Sequence, residues 1–230
     1  TNTFQKAFAR SLIQLAQEDK RIVALTAAMA PGCSLDDFRA VFPQRFFDVG
    51  IAEPHAITTA AGMATQGLRP VVNMYSTFAQ RAVDQWIHDV ALQRLPVILC
   101  LDRAGIVGED GGTHHGLFDL ALFRAVPHTA IWAPRDEDSM REALQQALAY
   151  GGPSIIRYPK GPMPDLPEPA QRGNQADVFQ MGTGVVHWCM GTTIVDALRE
   201  AAPTDSVVDL RMIKPIAPAL LERFAKNHYQ

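Results

Sequence analysis

Short runs rich in Val, Ile and Leu recur along the chain, separated by segments with the apolar spacing of amphipathic helices. The runs predict strands at Ile22–Thr26, Phe46–Gly50, Val71–Tyr75, Val97–Asp102, Thr129–Ala133 and Ser154–Tyr158. The segments between them predict helices at Thr3–Glu18, about Pro54–Gln66, Phe78–Gln93, Leu117–Ala125 and Glu137–Tyr150. This alternation implies βαβ units, and so an α/β fold around a parallel sheet. Pro54 suits a first helical position, and Asp136 and Asp138 put negative charge at the positive end of the helix that follows.

The proline-rich and polar stretch from Pro162 to Asp177 reads as a linker. Two further βα patterns follow it, VVHWCM with GTTIVDALREAAP and SVVDLRMIKP with APALLERFAKNHYQ. Two units make a small sheet with an open edge, which suggests an incomplete second domain. The expected division is 1–161 for the main domain, 162–180 for the linker and 181–230 for the partial domain.

The chain has 230 residues, 47% hydrophobic, enough for one good-sized core and part of another. Its 21 basic and 24 acidic residues leave a net charge of −3, with no basic stripe for nucleic acid. No apolar run is long enough to span a bilayer, and charges interrupt the first helix throughout, unlike a signal peptide. Cys33, Cys100 and Cys189 are few, odd in number and widely spaced. They fit reduced cytoplasmic thiols better than a disulfide framework or a zinc site.

Ligands of parallel α/β sheets sit beyond the carboxyl ends of the strands. At those ends the chain places Glu53, then Tyr75, Ser76, Thr77, Phe78 and Arg81, then Arg103 with the loop AGIVGEDGGTHHG, then Arg157, Pro159 and Lys160. Taken singly, Glu53 reads as a capping or solvated residue, Tyr75 and Phe78 as core aromatics, and Arg103 and Arg157 as surface ion-pair residues. Their concentration on one rim argues for an active site. The loop's five glycines frame Glu109, Asp110, Thr113, His114 and His115, a composition that suits close backbone approach to a ligand. It lacks the Gly-Lys-Ser/Thr of a Walker loop, and its histidines do not match zinc spacing. No metal site is expected in this chain.

The segments TAAM, RFFDVGIAEPHA, YSTFAQRAVDQ, LPVILCLDRAGIVGEDGGTHHGLFDL, APRDEDSM and PSIIRYPKG resemble, in order, the pyrimidine-binding domain of 1-deoxy-D-xylulose-5-phosphate synthase. That family comprises thiamine diphosphate enzymes of the transketolase superfamily. The resemblance runs from Thr1 to about Gly161 and continues more weakly to the end. It implies that Glu53 contacts the aminopyrimidine ring nitrogen and favours the tautomer that takes the thiazolium C2 proton. It implies that Phe78 stacks on the aminopyrimidine, with Tyr75 and Arg81 beside it. Arg103 and Arg157 would bind the phosphate of glyceraldehyde 3-phosphate, with Tyr75 nearby. Asp110 and His114 would handle the acceptor's hydroxyl and carbonyl and the proton transfers.

The resemblance further implies condensation of pyruvate with the aldehyde phosphate and loss of carbon dioxide. The domain that grips the diphosphate and Mg2+ would lie on a separate partner chain, and the small residues after Glu53 would allow a homodimer core. Pro54 stands where the family usually has Gln. Two other readings stay open: transfer of a two-carbon ketol unit between sugar phosphates, and a non-catalytic remnant. A third is a fragment of a longer synthase.

Overall fold

The computed structural model describes residues 2–228, with side chains as far as residue 225. Strands β1 (Ile22–Thr26), β2 (Phe46–Asp48), β3 (Arg69–Tyr75), β4 (Ile98–Asp102), β5 (Ala130–Trp132) and β6 (Ser154–Arg157) match the six expected ones to within two residues at each end. They form a parallel sheet in the order β5-β6-β4-β3-β1-β2. Strands β1 and β4 are buried along their whole length, and β3 from Pro70 to Met74. That explains why they read as continuous apolar runs rather than alternating ones.

Helix α1 (Phe4–Glu18) starts where the Thr3 hydroxyl accepts a hydrogen bond from the Lys6 amide. It buries Phe4, Phe8, Leu12 and Leu15, one face at helical spacing. Phe4 and Phe8 stack on Tyr158, whose hydroxyl accepts a hydrogen bond from Asn73 on β3. Each such ring contributes roughly 2–3 kcal/mol through burial. Helix α2 (Leu35–Val41), which the pattern reading passed over, packs on α1. Helix α3 (Glu53–Thr65) turns Ala56, Ile57, Ala60, Ala61 and Ala64 inward against β3, so its backbone lies close to the sheet.

The helix expected over Phe78–Gln93 is instead four short pieces. These are α4 (Ser76–Ala79), a 3-10 turn (Gln80–Ala82), α5 (Val83–Gln85) and a π-helical turn (Trp86–Ala91). No Gly or Pro marks the breaks. All but α4 pack closely on α3, so tertiary packing overrides a uniform helical pattern. Helix α6 is Asp119–Phe123. Helix α7 (Glu137–Tyr150) opens on a capping box between Asp136 and Ser139, ends on left-handed Gly151, and packs on α1.

Part of the stretch read as linker is a strand, β7 (Ala176–Gln180). It runs antiparallel to β9 (Ser206–Leu210), and β8 (Val186–Cys189) runs parallel to β9 on its other side. Helix α8 (Thr193–Glu200) joins β8 to β9. The run SVVDLRMIKP is two strands, not one: after Arg211, β10 (Met212–Lys214) leaves the small sheet and pairs antiparallel with β5 of the large one. Helix α9 (Pro218–His228) follows.

A buried ionic cluster ties the small sheet to the large one. Arg135, just after β5, donates to Asp209 at 2.6 Å and lies 2.8 Å from Asp177 and 3.1 Å from Asp136. Arg211 lies 3.3 Å from Asp177 and pairs with Glu142 on α7. Burial pushes the Asp209 carboxyl up to about 6 against the pull of Arg135. No helix among the described residues is long and apolar enough to cross a membrane.

Candidate active site

Every candidate residue of the sequence analysis lies at or beyond the carboxyl end of β3, β4 or β6, or at the start of α3. Glu53 opens α3 with Pro54 directly behind it. It is 2% exposed, and its Oε1 accepts a hydrogen bond from Arg81 Nη1 at 2.8 Å. The Arg81 side chain is 57% exposed, so a buried carboxylate is balanced by a cation that reaches in from solvent. The same guanidinium sits 5.2 Å from the centre of the Phe78 ring.

The rings form one cluster. Tyr75 and Phe78 stack with centroids 5.7 Å apart and planes 19° apart. His114 meets Phe78 edge-on at 5.4 Å and Tyr75 tilted at 6.3 Å. The other face of this corner holds Arg103, whose guanidinium lies 3.8 Å from the Tyr75 ring centre. Arg103 donates to the Gly32 carbonyl at 3.1 Å and faces Asp102 at 3.2 Å and Asp110 at 3.6 Å. Its backbone has φ +60°, a left-handed conformation that costs a non-glycine residue about 1–3 kcal/mol and clusters at functional sites. Gly32 is required here, because a Cβ on it would stand 1.9 Å from the Tyr75 hydroxyl oxygen.

The glycine-rich loop is folded, not slack. Gly105 and Gly116 exchange backbone hydrogen bonds of 2.8 Å, and Thr77 Oγ1 donates to the Thr113 carbonyl at 3.1 Å. His115 is spent inside the loop, accepting from the Val107 amide at 3.2 Å, whereas His114 faces the rings. Lys160 donates to Asp110 at 2.7 Å and lies 3.6 Å from Glu109. That bond holds the Asp110 carboxyl below the usual carboxylate range.

Two groups form within the predicted set: Glu53–Arg81–Phe78, and Tyr75–Arg103–Asp110, with His114 touching both rings. Arg157 stands apart from both. It pairs in register with Leu101, and its Nε donates to the buried Asp119 at 2.6 Å. Sequence reasoning placed Lys160 on the rim without a role, and missed Gly32, Asp102 and Asp119 as parts of this corner. Asp102 had a signal, a charged residue ending an otherwise apolar buried strand, and Lys160 had only its place after β6. Gly32 and Asp119 had none, because their roles depend on which loops meet.

A buried carboxylate linked through one guanidinium to a pair of aromatic rings suits a flat nitrogen heterocycle, the carboxylate taking a ring hydrogen bond and a ring stacking on it. The Ser76 hydroxyl, buried at the same strand end without a hydrogen bond, adds a free polar atom there. Among the described residues no group of three or more His, Cys, Asp or Glu side chains is placed to hold a metal ion.

Residues 1–165 match the family described as transketolase, pyrimidine binding domain. Curated relatives include 1-deoxy-D-xylulose-5-phosphate synthase from Thermomicrobium roseum, 48% identical over 95% of this chain and 36% of its own length. The synthase from Carboxydothermus hydrogenoformans is 45% identical over 98% of this chain and 38% of its own. The chain thus spans little more than a third of these relatives. Among solved structures, one titled "Split gene transketolase, inactive beta4 tetramer" superposes with a TM-score of 0.87 at 30% identity, covering 99% of this chain and 77% of that one. The expected α/β fold and the expected resemblance to the synthase both stand, and the chain belongs to the transketolase pyrimidine-binding domain family.

Proposed function

We propose that this chain supplies the pyrimidine half of a thiamine diphosphate-dependent synthase that condenses pyruvate with glyceraldehyde 3-phosphate and releases carbon dioxide. The observation that carries it is Glu53, a buried carboxylate at the start of α3, joined through Arg81 to the Phe78–Tyr75 ring stack at the strand ends. Bound there, thiamine diphosphate supplies the nucleophilic carbon and electron sink that decarboxylation of a 2-oxo acid requires. Glu53 accepts the hydrogen bond of the pyrimidine ring N–H, and Arg81 orients the Glu53 carboxylate. Phe78 holds the ring face, with Tyr75 behind it. His114, edge-on to Phe78 and tilted on Tyr75, gives and takes the proton at the acceptor's carbonyl oxygen, and Asp110 orients its hydroxyl. Arg103 and Arg157 bind the phosphate, releasing part of their hold on Asp110 and Asp119.

The diphosphate and Mg2+ then belong to a partner chain. Support comes from the exposed apolar residues Ile51, Ile106, Leu117 and Phe118, which lie next to Glu53 and on either side of the glycine-rich loop. They suit cover by another polypeptide, and a homodimer core of two copies of this chain extends the same surface. The split-gene transketolase among the structural relatives supports both the division into two chains and a second reading, ketol transfer between sugar phosphates.

The test mixes the chain with a candidate partner carrying the diphosphate-binding domain, thiamine diphosphate, Mg2+, pyruvate and the aldehyde phosphate. Carbon dioxide release coupled to a five-carbon product is expected. Transfer from a ketose phosphate without carbon dioxide moves the assignment to the second reading. Calorimetry that detects no cofactor binding, with or without the partner, overturns both in favour of a non-catalytic remnant.

A further inference from the structure

Asp102 is the last residue of β4, in register with Tyr75 on β3 and wholly buried. One of its oxygens does all the hydrogen bonding. Oδ1 takes the Gln5 amide at 2.6 Å and faces Arg103 Nη1 at 3.2 Å. Oδ2 is buried and makes no hydrogen bond, and neither does Arg103 Nε. The pair thus leaves one buried oxygen of Asp102 unused, while Arg103 Nε faces Asp110 at 3.6 Å, next to the ring cluster.

We propose that Asp102 is the positioning residue for Arg103 and sets the charge that Arg103 presents. As a carboxylate it holds the guanidinium and offsets its charge, and as a neutral acid it leaves that charge to an anionic ligand. The proposal rests on reading Arg103 as an anion-binding group. The ligand class is a phosphate monoester or another small dianion.

The surroundings are consistent with such a balance. Asp102 faces Gln5 from α1, Cys33 from the segment after β1, Tyr75 from β3, Cys100 from its own strand and Tyr158 after β6. Arg103 supplies the positive charge. Burial drives the Asp102 carboxyl up to about 7, and Arg103 and Gln5 pull it down. Arg103 also faces Asp110, whose charge is fixed by Lys160. One of its two carboxylates is therefore permanent and the other adjustable. When Asp102 is charged, two carboxylates face Arg103; when it is protonated, only Asp110 does, and Lys160 shares that one. By reciprocity, a dianion at Arg103 raises the affinity of Asp102 for its proton, and loss of that proton weakens the dianion by the same factor.

Sulfate is the probe, because its charge is constant across the range. Calorimetry on the full chain at about pH 6 and about pH 8 is expected to show roughly tenfold weaker sulfate binding at the higher pH. Tenfold corresponds to a one-unit change in the linked carboxyl. In Asp102→Asn, which keeps the Oδ1 acceptor, binding stays tight and the difference disappears. His114 and His115 are unchanged in that variant, so their contribution cancels in the comparison. Carbon-13 NMR of the Asp carboxyl, which needs no variant, is expected to show sulfate shifting its titration upward. In the assembled enzyme, the KM for the aldehyde phosphate rises with pH in the wild type and is flat in Asp102→Asn, with kcat unaffected by the difference.

Sulfate affinity that is flat with pH in the wild type, an equal pH effect in Asp102→Asn, or binding indifferent to Arg103→Ala overturns the proposal. Sulfate linkage with no carbon dioxide released by the assembled enzyme leaves Asp102 in its role and removes the synthase reading instead.

Discussion

Replacing Arg135 by Met tests what holds the two sheets together. Met keeps the stem that packs near Phe179, whose ring centre lies 5.0 Å from the guanidinium. It leaves Asp177 and Asp209, both wholly buried, without the group they share. Removing one partner of a buried pair costs about 3–5 kcal/mol. Arg211, 3.3 Å from Asp177, retains part of the compensation, so the lower half of that range is expected. The pH dependence follows from Asp209. Its folded pKa, about 6, lies above its ordinary 3.8, so the stability it lends is complete below that ordinary value and is lost as pH rises through about 6. Without Arg135 the carboxyl moves higher still, and its protonated form needs no cation. The variant is therefore most destabilised near pH 8 and least near pH 5. Urea unfolding followed by circular dichroism at both values measures the difference. At 2–4 °C per kcal/mol, a loss of about 3 kcal/mol lowers the Tm by roughly 6–12 °C. A loss below about 1 kcal/mol at pH 8, or an equal loss at both pH values, refutes the view that this cluster pins the small sheet.

Gly32→Ala places a Cβ 1.9 Å from the Tyr75 hydroxyl oxygen, so the ring must swing away from Arg103 and Phe78. A loss of about 1–3 kcal/mol from the cation–π and stacking contacts is expected, seen as weaker sulfate and cofactor binding in calorimetry while the far-ultraviolet spectrum is retained. Glu53→Gln removes a buried charge whose partner is largely solvated, so a melting scan should shift little. Turnover of the assembled enzyme should fall roughly 10²–10⁴-fold, the scale of a lost proton-transfer contact. Asp102 binds its proton more tightly folded than unfolded, so the stability it contributes declines as pH climbs from about 4 to about 7. Urea unfolding of Asp102→Asn should lack that decline and exceed the wild type in stability at pH 8.

The parallel sheet was legible because its strands are buried on both faces and read as apolar runs. Small-sheet strand β7 was not, because its segment opens on proline and polar residues, and its inward-facing Asp177 reads as solvent-facing until Arg135 and Arg211 are placed beside it. The break between β9 and β10 was hidden for the same reason. Arg211 looks like one polar position in a continuous strand, and only the partners of the next residues, Trp132 and Ile131, show that the chain has changed sheets. The broken helix after Tyr75 has no local marker at all, since α3 imposes it.

The site divides along the same line. Residue types near strand ends were readable from spacing: Glu53, Tyr75, Phe78, Arg81, Arg103, Asp110, His114 and Arg157 lie where the alternation of strand and helix puts them. Their pairings were not readable. A sequence gives three cations on the rim beyond Arg81, namely Arg103, Arg157 and Lys160. The structure gives each cation a carboxylate: Asp102 and Asp110 for Arg103, Asp119 for Arg157, Asp110 and Glu109 for Lys160. An anion bound there competes with acids already in place, so affinity is set by how firmly those acids keep their charge. Asp110 keeps it because Lys160 holds it, and Asp119 keeps its bond to Arg157 in a buried position. Asp102 is the carboxylate of the three with an unsatisfied oxygen and a raised affinity for a proton, and so the place where a change of pH alters the grip of the rim on its ligand.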